Sequence, residues 1–148
     1  MKVMVISRAT AASEAGEMDP EMFAVMDKFI EELISSGIML DGTGLTPTSR
    51  GARVRFSGSN RTVTNGPFAE TTELIAGFMI WKVSSLQEAI EWVKKCPNCS
   101  TEDSDIEIRP LLEPDDFAGL VTPERLEEVK ELEAQSADRD GYGLARFK

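Results

Sequence analysis

Apolar residues recur with two distinct periods along this chain, and the switches between them outline the fold. Residues 2 to 7 alternate as a strand does, with Val3 and Val5 on one face and Met4 and Ile6 on the other, so both faces are apolar. A polar, small-residue loop runs to Gly16. Asp19-Pro20 then supplies an N-cap and a first-turn proline, and Met22, Met26, Phe29, Ile30 and Leu33 follow at helical spacing until Gly37 ends the helix. Ile38–Leu40 can form a short strand before the turn-rich Asp41-Gly-Thr-Gly. Ala52–Phe56 and Arg61–Thr64 flank Ser57-Gly-Ser-Asn60 as a hairpin would, with Arg53 and Arg55 sharing one face. Leu74–Val83 is the longest apolar strand. Ser84 with Gln87, or Ser85 with Glu88, opens a helix that runs to Lys95 with Leu86, Ala89, Ile90 and Val93 inward, and Pro97 stops it. In Asp105–Pro110, Ile106 and Ile108 alternate with Glu107 and Arg109.

The order strand, helix, strands, strand, helix, strand predicts an α+β fold of ferredoxin-like, split β-α-β type, with both helices on one face of a mainly antiparallel sheet. Apolar side chains on both faces of Met4–Ile6 and Phe78–Trp81 predict that a second copy covers the open face, as a symmetric homodimer. Beyond this unit, Thr122-Pro123 to Glu133 starts like a capped helix with a thin stripe of Leu126, Val129 and Leu132, and the tail from Gln135 is polar. The expected division is an α+β domain over 1–117 and a helical extension with tail over 118–148.

Between the hairpin and the long strand lies Asn65-Gly-Pro-Phe-Ala-Glu-Thr71. Gly66 allows a positive φ, Pro67 fixes φ near about −65°, and Phe68 can anchor the turn to a core, which gives Glu70 a stiff mount. This stretch resembles the Asp-Gly-Pro-Phe signature of the YciI-related (DGPF-domain) family of small bacterial proteins. Gly37–Leu45 and Ile106-Glu-Ile-Arg-Pro110 look like the same family over about residues 1–117. The resemblance implies a dimeric α+β barrel, usually a homodimer with clefts between the sheets, and most members have no assigned activity. Asn65 stands where the family usually has aspartate; it keeps the capacity for the turn-forming hydrogen bond but not that residue's acid–base role. Some relatives have a proposed His-Asp catalytic pair, and the acidic stretch Thr101-Glu-Asp103 stands where members often carry a histidine.

Composition narrows the chemistry further. The chain of 148 residues has no histidine, which removes the commonest general base near neutral pH, Ser-His and Cys-His nucleophile pairs and imidazole metal ligands. Two cysteines alone make no structural zinc site, and no loop of EF-hand spacing is present, so neither a metal nor a cofactor is expected. Asp41 with Glu70, and Glu102-Asp103-Asp105, read as solvated acidic groups rather than a cation site. A formal charge of −10 opposes nucleic acid and anionic membranes as partners. The opening segment lacks the length of a signal or spanning helix, and a cytoplasmic protein is expected. Cys96-Pro-Asn-Cys99 has redox spacing, but it follows the C-terminal end of a helix, whose dipole disfavours thiolate, and surface cysteines are the simpler expectation. Met22 and Met26 fit core filling on the helix face.

The candidate site that emerges gathers Glu70 and Asp41 as catalytic carboxylates, with Arg8, Asn65, Phe68, Trp81 and Arg109 around a small organic ligand. An arginine would orient an anionic ligand, Trp81 would form a wall, and a desolvated carboxylate would shuttle a proton in a cofactor-independent lyase or isomerase step. The opposing expectation is that these charges only cap the turn and pair on the rim, the protein being a regulatory or interaction module.

Overall fold

The computed structural model describes residues 1–17, 19–69, 73–100 and 102–137. Among these residues four strands, β1 (Lys2–Arg8), β2 (Met39–Gly44), β5 (Ile75–Lys82) and β6 (Ile106–Pro110), form one antiparallel sheet in the order β2-β5-β1-β6, while β3 (Ala52–Ser57) and β4 (Asn60–Asn65) pair with each other in a second. Strand β5 enters between β1 and β2, so the two β-α-β passages interleave as the split layout predicts.

Each passage carries its helix for the reasons visible in its residues. Helix α2 (Pro20–Ser35) begins where the Asp19 side chain accepts the Glu21 N–H at 2.9 Å, and it ends at Gly37, whose φ of 70° belongs to the left-handed region. Helix α3 (Leu86–Val93) is capped by Ser85, which accepts the Glu88 N–H, while the Glu88 carboxylate reaches back to the N–H and hydroxyl of Ser84 at 2.6 Å. Phe29 and Leu33 from α2 and Ala89 from α3 pack with Val3, Val5, Met39, Met79 and Trp81 into one core. Phe29 meets Trp81 edge-on, with centroids 6.4 Å apart.

Three expectations change here. The loop before Gly16 contains a short helix, α1 (Ala11–Ala15), because Thr10 and Ser13 cap each other's backbone N–H groups. The Asp41-Gly-Thr-Gly44 run is strand rather than turn. A bulge at Leu40 shifts its register onto β5, and a side chain at Gly42 or Gly77 would press to 2.9 Å against neighbouring atoms, so glycine allows the strands to approach. The third change concerns Gly66, which has no positive φ. A Cβ there would lie 1.7 Å from the Thr48 carbonyl oxygen, so the position requires glycine for close backbone approach.

After β6 the chain makes a 3-10 turn at Pro114–Phe117, and the expected C-terminal extension carries helix α4 (Pro123–Ala137). Leu126 and Val129 are half-buried, and Lys130 reaches Asp115 at 3.6 Å. Tail residues 138–148, with Tyr142, Leu144 and Phe147, lie outside the described residues. Among the described residues no helix is long and apolar enough to cross a membrane.

Candidate functional site

The pairing register decides which sequence-predicted residues can meet. Val3, Val5, Met79 and Trp81 point toward the helices, so the alternate positions form the opposite face of the sheet. One row across that face reads Asp41, Ile80, Met4, Arg109, and the next reads Thr43, Phe78, Ile6, Glu107. Met4, Ile6, Phe78 and Ile80 are neither in the core nor fully exposed, and they form an apolar band between polar edges.

At one edge, Glu107 is held between two arginines. One oxygen pairs with Nη2 of Arg8 and the other lies 3.8 Å from Nε of Arg109. Arg8 is one-third exposed and also points Nη1 at the Glu73 carbonyl, 3.4 Å away. A guanidinium has five N–H donors, so these contacts leave Arg8 capacity for an anionic ligand. Glu107 was absent from the sequence-level site. Its alternation with Ile106 and Ile108 signals an outward carboxylate, but only the β1–β6 register brings it to Arg8.

Asp41 does not join this group within one chain. It sits on the other edge strand, three strand spacings or about 14 Å from Arg109, and accepts the neighbouring Gly42 N–H at 2.7 Å. Trp81 is no cleft wall either. It is fully buried on the helix face, because its register position pairs it with Val3 and Met39, and among the described residues its indole N–H lacks a partner. Glu70 lies outside the described residues.

The turn bearing Asn65 and Phe68 is built into a separate corner. Gly66 N–H bonds to the Gly51 carbonyl at 2.9 Å, and Phe68 N–H bonds to the Thr48 hydroxyl at 3.1 Å. Thr48 in turn donates its N–H and hydroxyl to Glu14, a link no sequence pattern announced. Phe68 is half-buried under the Arg53 guanidinium, 4.1 Å from its ring centre, and both border a recess of about 320 Å³ with Leu45 and Leu74. Asn65 ends β4 in solvent opposite Ala52, and among the described residues its side chain makes no hydrogen bond, contrary to the turn-forming role expected of it. Asn65 and Phe68 therefore do not meet Arg109 or Asp41.

Arg8 also borders a cleft of about 730 Å³ at the end of β1, between the start of α2 and the loop after α3. That volume is in the range of small-molecule sites. Ser7, Thr10, Ser13, Asp19 and Ser100 line it with polar groups, and Met22, Met26 and Val93 with apolar ones. Cys96 and Cys99 border it too. Cys96 is half-buried rather than superficial; burial, then the neighbouring Cys99, pushes its thiol up to about 11, and burial raises the Cys99 thiol as well. These are thiols rather than activated thiolates, as their place past the end of α3 predicts.

The interleaved sheet, the Gly-Pro-Phe corner and the Ile-Glu-Ile-Arg-Pro strand together coincide with a known family: residues 1–113 match the YCII-related domain. The chain belongs to the YCII-related family. An uncharacterised protein of Rhizobium meliloti (strain 1021) is 30% identical over 106 residues, covering 72% of this chain and 82% of that protein. The YCII-related match ends at residue 113, so α4 lies beyond the matched residues.

Proposed function

We propose that this YCII-related protein works as a symmetric homodimer in the cytoplasm, its open sheet faces packed together as a dimeric α+β barrel, and holds a small anionic or polar organic molecule beside Arg8. The observation that carries this reading is the row Asp41, Ile80, Met4, Arg109. It is apolar in the middle, acidic at one end and basic at the other. A two-fold axis parallel to the strands would set Ile80 against Met4, and Asp41 of one protomer against Arg109 of its partner, an isologous and self-complementary contact. The carboxylate and the guanidinium that one chain keeps apart would then share one rim.

The chemistry assigned to this rim is a cofactor-independent proton transfer of the lyase or isomerase type. Arg8 or Arg109 orients the substrate's anion, and Asp41 or Glu70 carries the proton. A second reading, a non-catalytic interaction module, draws support from the hairpin β3–β4, where Val54, Phe56 and Val63 stand half or more exposed.

Charge reversal tests the assembly. By sedimentation, Asp41→Arg and Arg109→Asp should each shift the protein toward monomer, and the double variant should restore the dimer; a wild-type monomer, or no restoration, refutes the axis. For the ligand, a thermal-shift screen of small carboxylates and lactones should find a compound that raises Tm in wild type and not in Arg8→Ala. No rise across the set transfers the assignment to the interaction module.

A further inference from the structure

The cleft at the end of β1 is bordered by four sulfur-bearing side chains, those of Met22, Met26, Cys96 and Cys99. The thiols of Cys96 and Cys99 each lie 3.7 Å from the same Pro97 carbonyl oxygen, so the two share one acceptor. Cys99 is also 3.8 Å from the Met22 carbonyl, so the loop after α3 is docked onto the first turn of α2. Met22 and Met26, one helical turn apart on α2, border the same cleft. The loop is ordered by its own polar contacts: the Asn98 side chain accepts the Ser100 N–H and the Ser104 hydroxyl, both at 3.1 Å.

We propose that this cleft is a site for one soft monovalent cation of the Cu(I) type, bound by the Cys96 and Cys99 sulfurs with thioether support from Met22 and Met26. The donor set selects the metal class. Thiolate and thioether sulfur favour Cu(I), whereas zinc in closed sites takes four thiolate, imidazole or carboxylate ligands. Among the described residues no three of the Cys, Asp and Glu side chains are grouped to hold a metal ion, so the harder divalent ions lack a complete set. Binding breaks two S–H bonds, forms two metal–thiolate bonds and two weaker metal–thioether bonds, and releases two protons to solvent, with no change in oxidation state. Exposure of Cys99 leaves its side chain free to turn until the two sulfurs span a pair of metal–sulfur bonds of about 2.3 Å each.

The test is an anaerobic titration of the reduced full chain with Cu(I) against a chromophoric Cu(I) chelator, with Zn(II) in parallel. The protein should withdraw one equivalent of Cu(I), with a thiolate-to-metal absorption band, and no comparable Zn(II). Cys99→Ser, at an exposed position, should abolish withdrawal while leaving the circular dichroism spectrum unchanged. Met22→Leu/Met26→Leu should weaken it on the order of tenfold, the scale on which groups supporting a metal's principal ligands act. Failure of the fully reduced wild type to compete, equal uptake by folded Cys99→Ser, or preference for Zn(II) overturns the site. Unchanged affinity in the double methionine variant overturns the four-sulfur arrangement. Because the readout is metal uptake, its failure leaves the proposal about the Arg8 rim standing.

Discussion

Strands β1 and β5 and the hairpin β3–β4 all turn successive side chains to opposite faces, and they meet opposite fates. Val3, Val5, Met79 and Trp81 are buried, whereas all twelve residues of β3 and β4 are exposed, Val54, Phe56 and Val63 among them. Alternation creates a two-faced ribbon; it does not supply the layer that covers a face. In the main sheet α2 and α3 return across β1 and β5 and exclude water. Among the described residues the hairpin is held by cross-strand pairs such as Val54 with Val63, the stacking of Arg61 on Phe56 at 4.2 Å and of Arg53 on Phe68 at 4.1 Å, and the tether at Gly66. An isolated two-stranded ribbon is marginal in water, so the hairpin depends on its anchorage far more than the sheet does.

The sharpest break of that contrast is a cavity in the packed region. Trp81→Ala should cost about 3–5 kcal/mol in chemical denaturation, because it removes the largest fully buried side chain from between Phe29 and the sheet. A loss under about 1 kcal/mol would mean that the helix layer does not close over β5. Next in size is the tether. Gly66→Ala forces a methyl group against the Thr48 carbonyl and should cost about 2 kcal/mol. Its signature is faster proteolysis within residues 52–65 while the near-ultraviolet signal of Trp81 is kept.

The division between packed and open surroundings continues in the cysteine pair. Burial raises the Cys96 thiol from 9.0 to about 11, so the folded state holds this proton more tightly than the unfolded chain. The stabilisation is fully present below about pH 9 and is lost as pH rises toward about 11; Cys96→Ala should flatten that part of the stability profile. Alkylation followed by peptide mapping should label the exposed Cys99 first, with Cys96 lagging until alkaline pH. Equal rates at neutral pH would contradict the packing of Cys96 against the core. The smallest effect belongs to the hairpin's open face, where Val54→Ala should change unfolding free energy by no more than about 0.5 kcal/mol. A loss several times larger would show that something covers this face in solution.

Much of the sheet, but little of the site, was legible beforehand. The Asp19-Pro20 cap, the helical spacing of Phe29 and Leu33 and the Ser85–Glu88 box are local signals, and each marks the element the structure contains. Asp41–Gly44 was misread because glycine-rich runs favour turns, and only the adjacent β5 makes close approach more valuable than chain freedom. Gly66 was given the wrong reason, since its constraint comes from Thr48, eighteen residues away.

What the sequence determined by itself, then, is the order of strands and helices, the two apolar faces of β1 and β5, and the absence of imidazole chemistry. These depend on spacing, capping and composition, which a chain carries before it folds. The tertiary structure alone decided that Trp81 belongs to the core and that Glu107 rather than Asp41 reaches Arg8. Each of those facts joins residues tens of positions apart. Pairing register sets them, and a shift of one residue exchanges the faces of a strand and every partner on it.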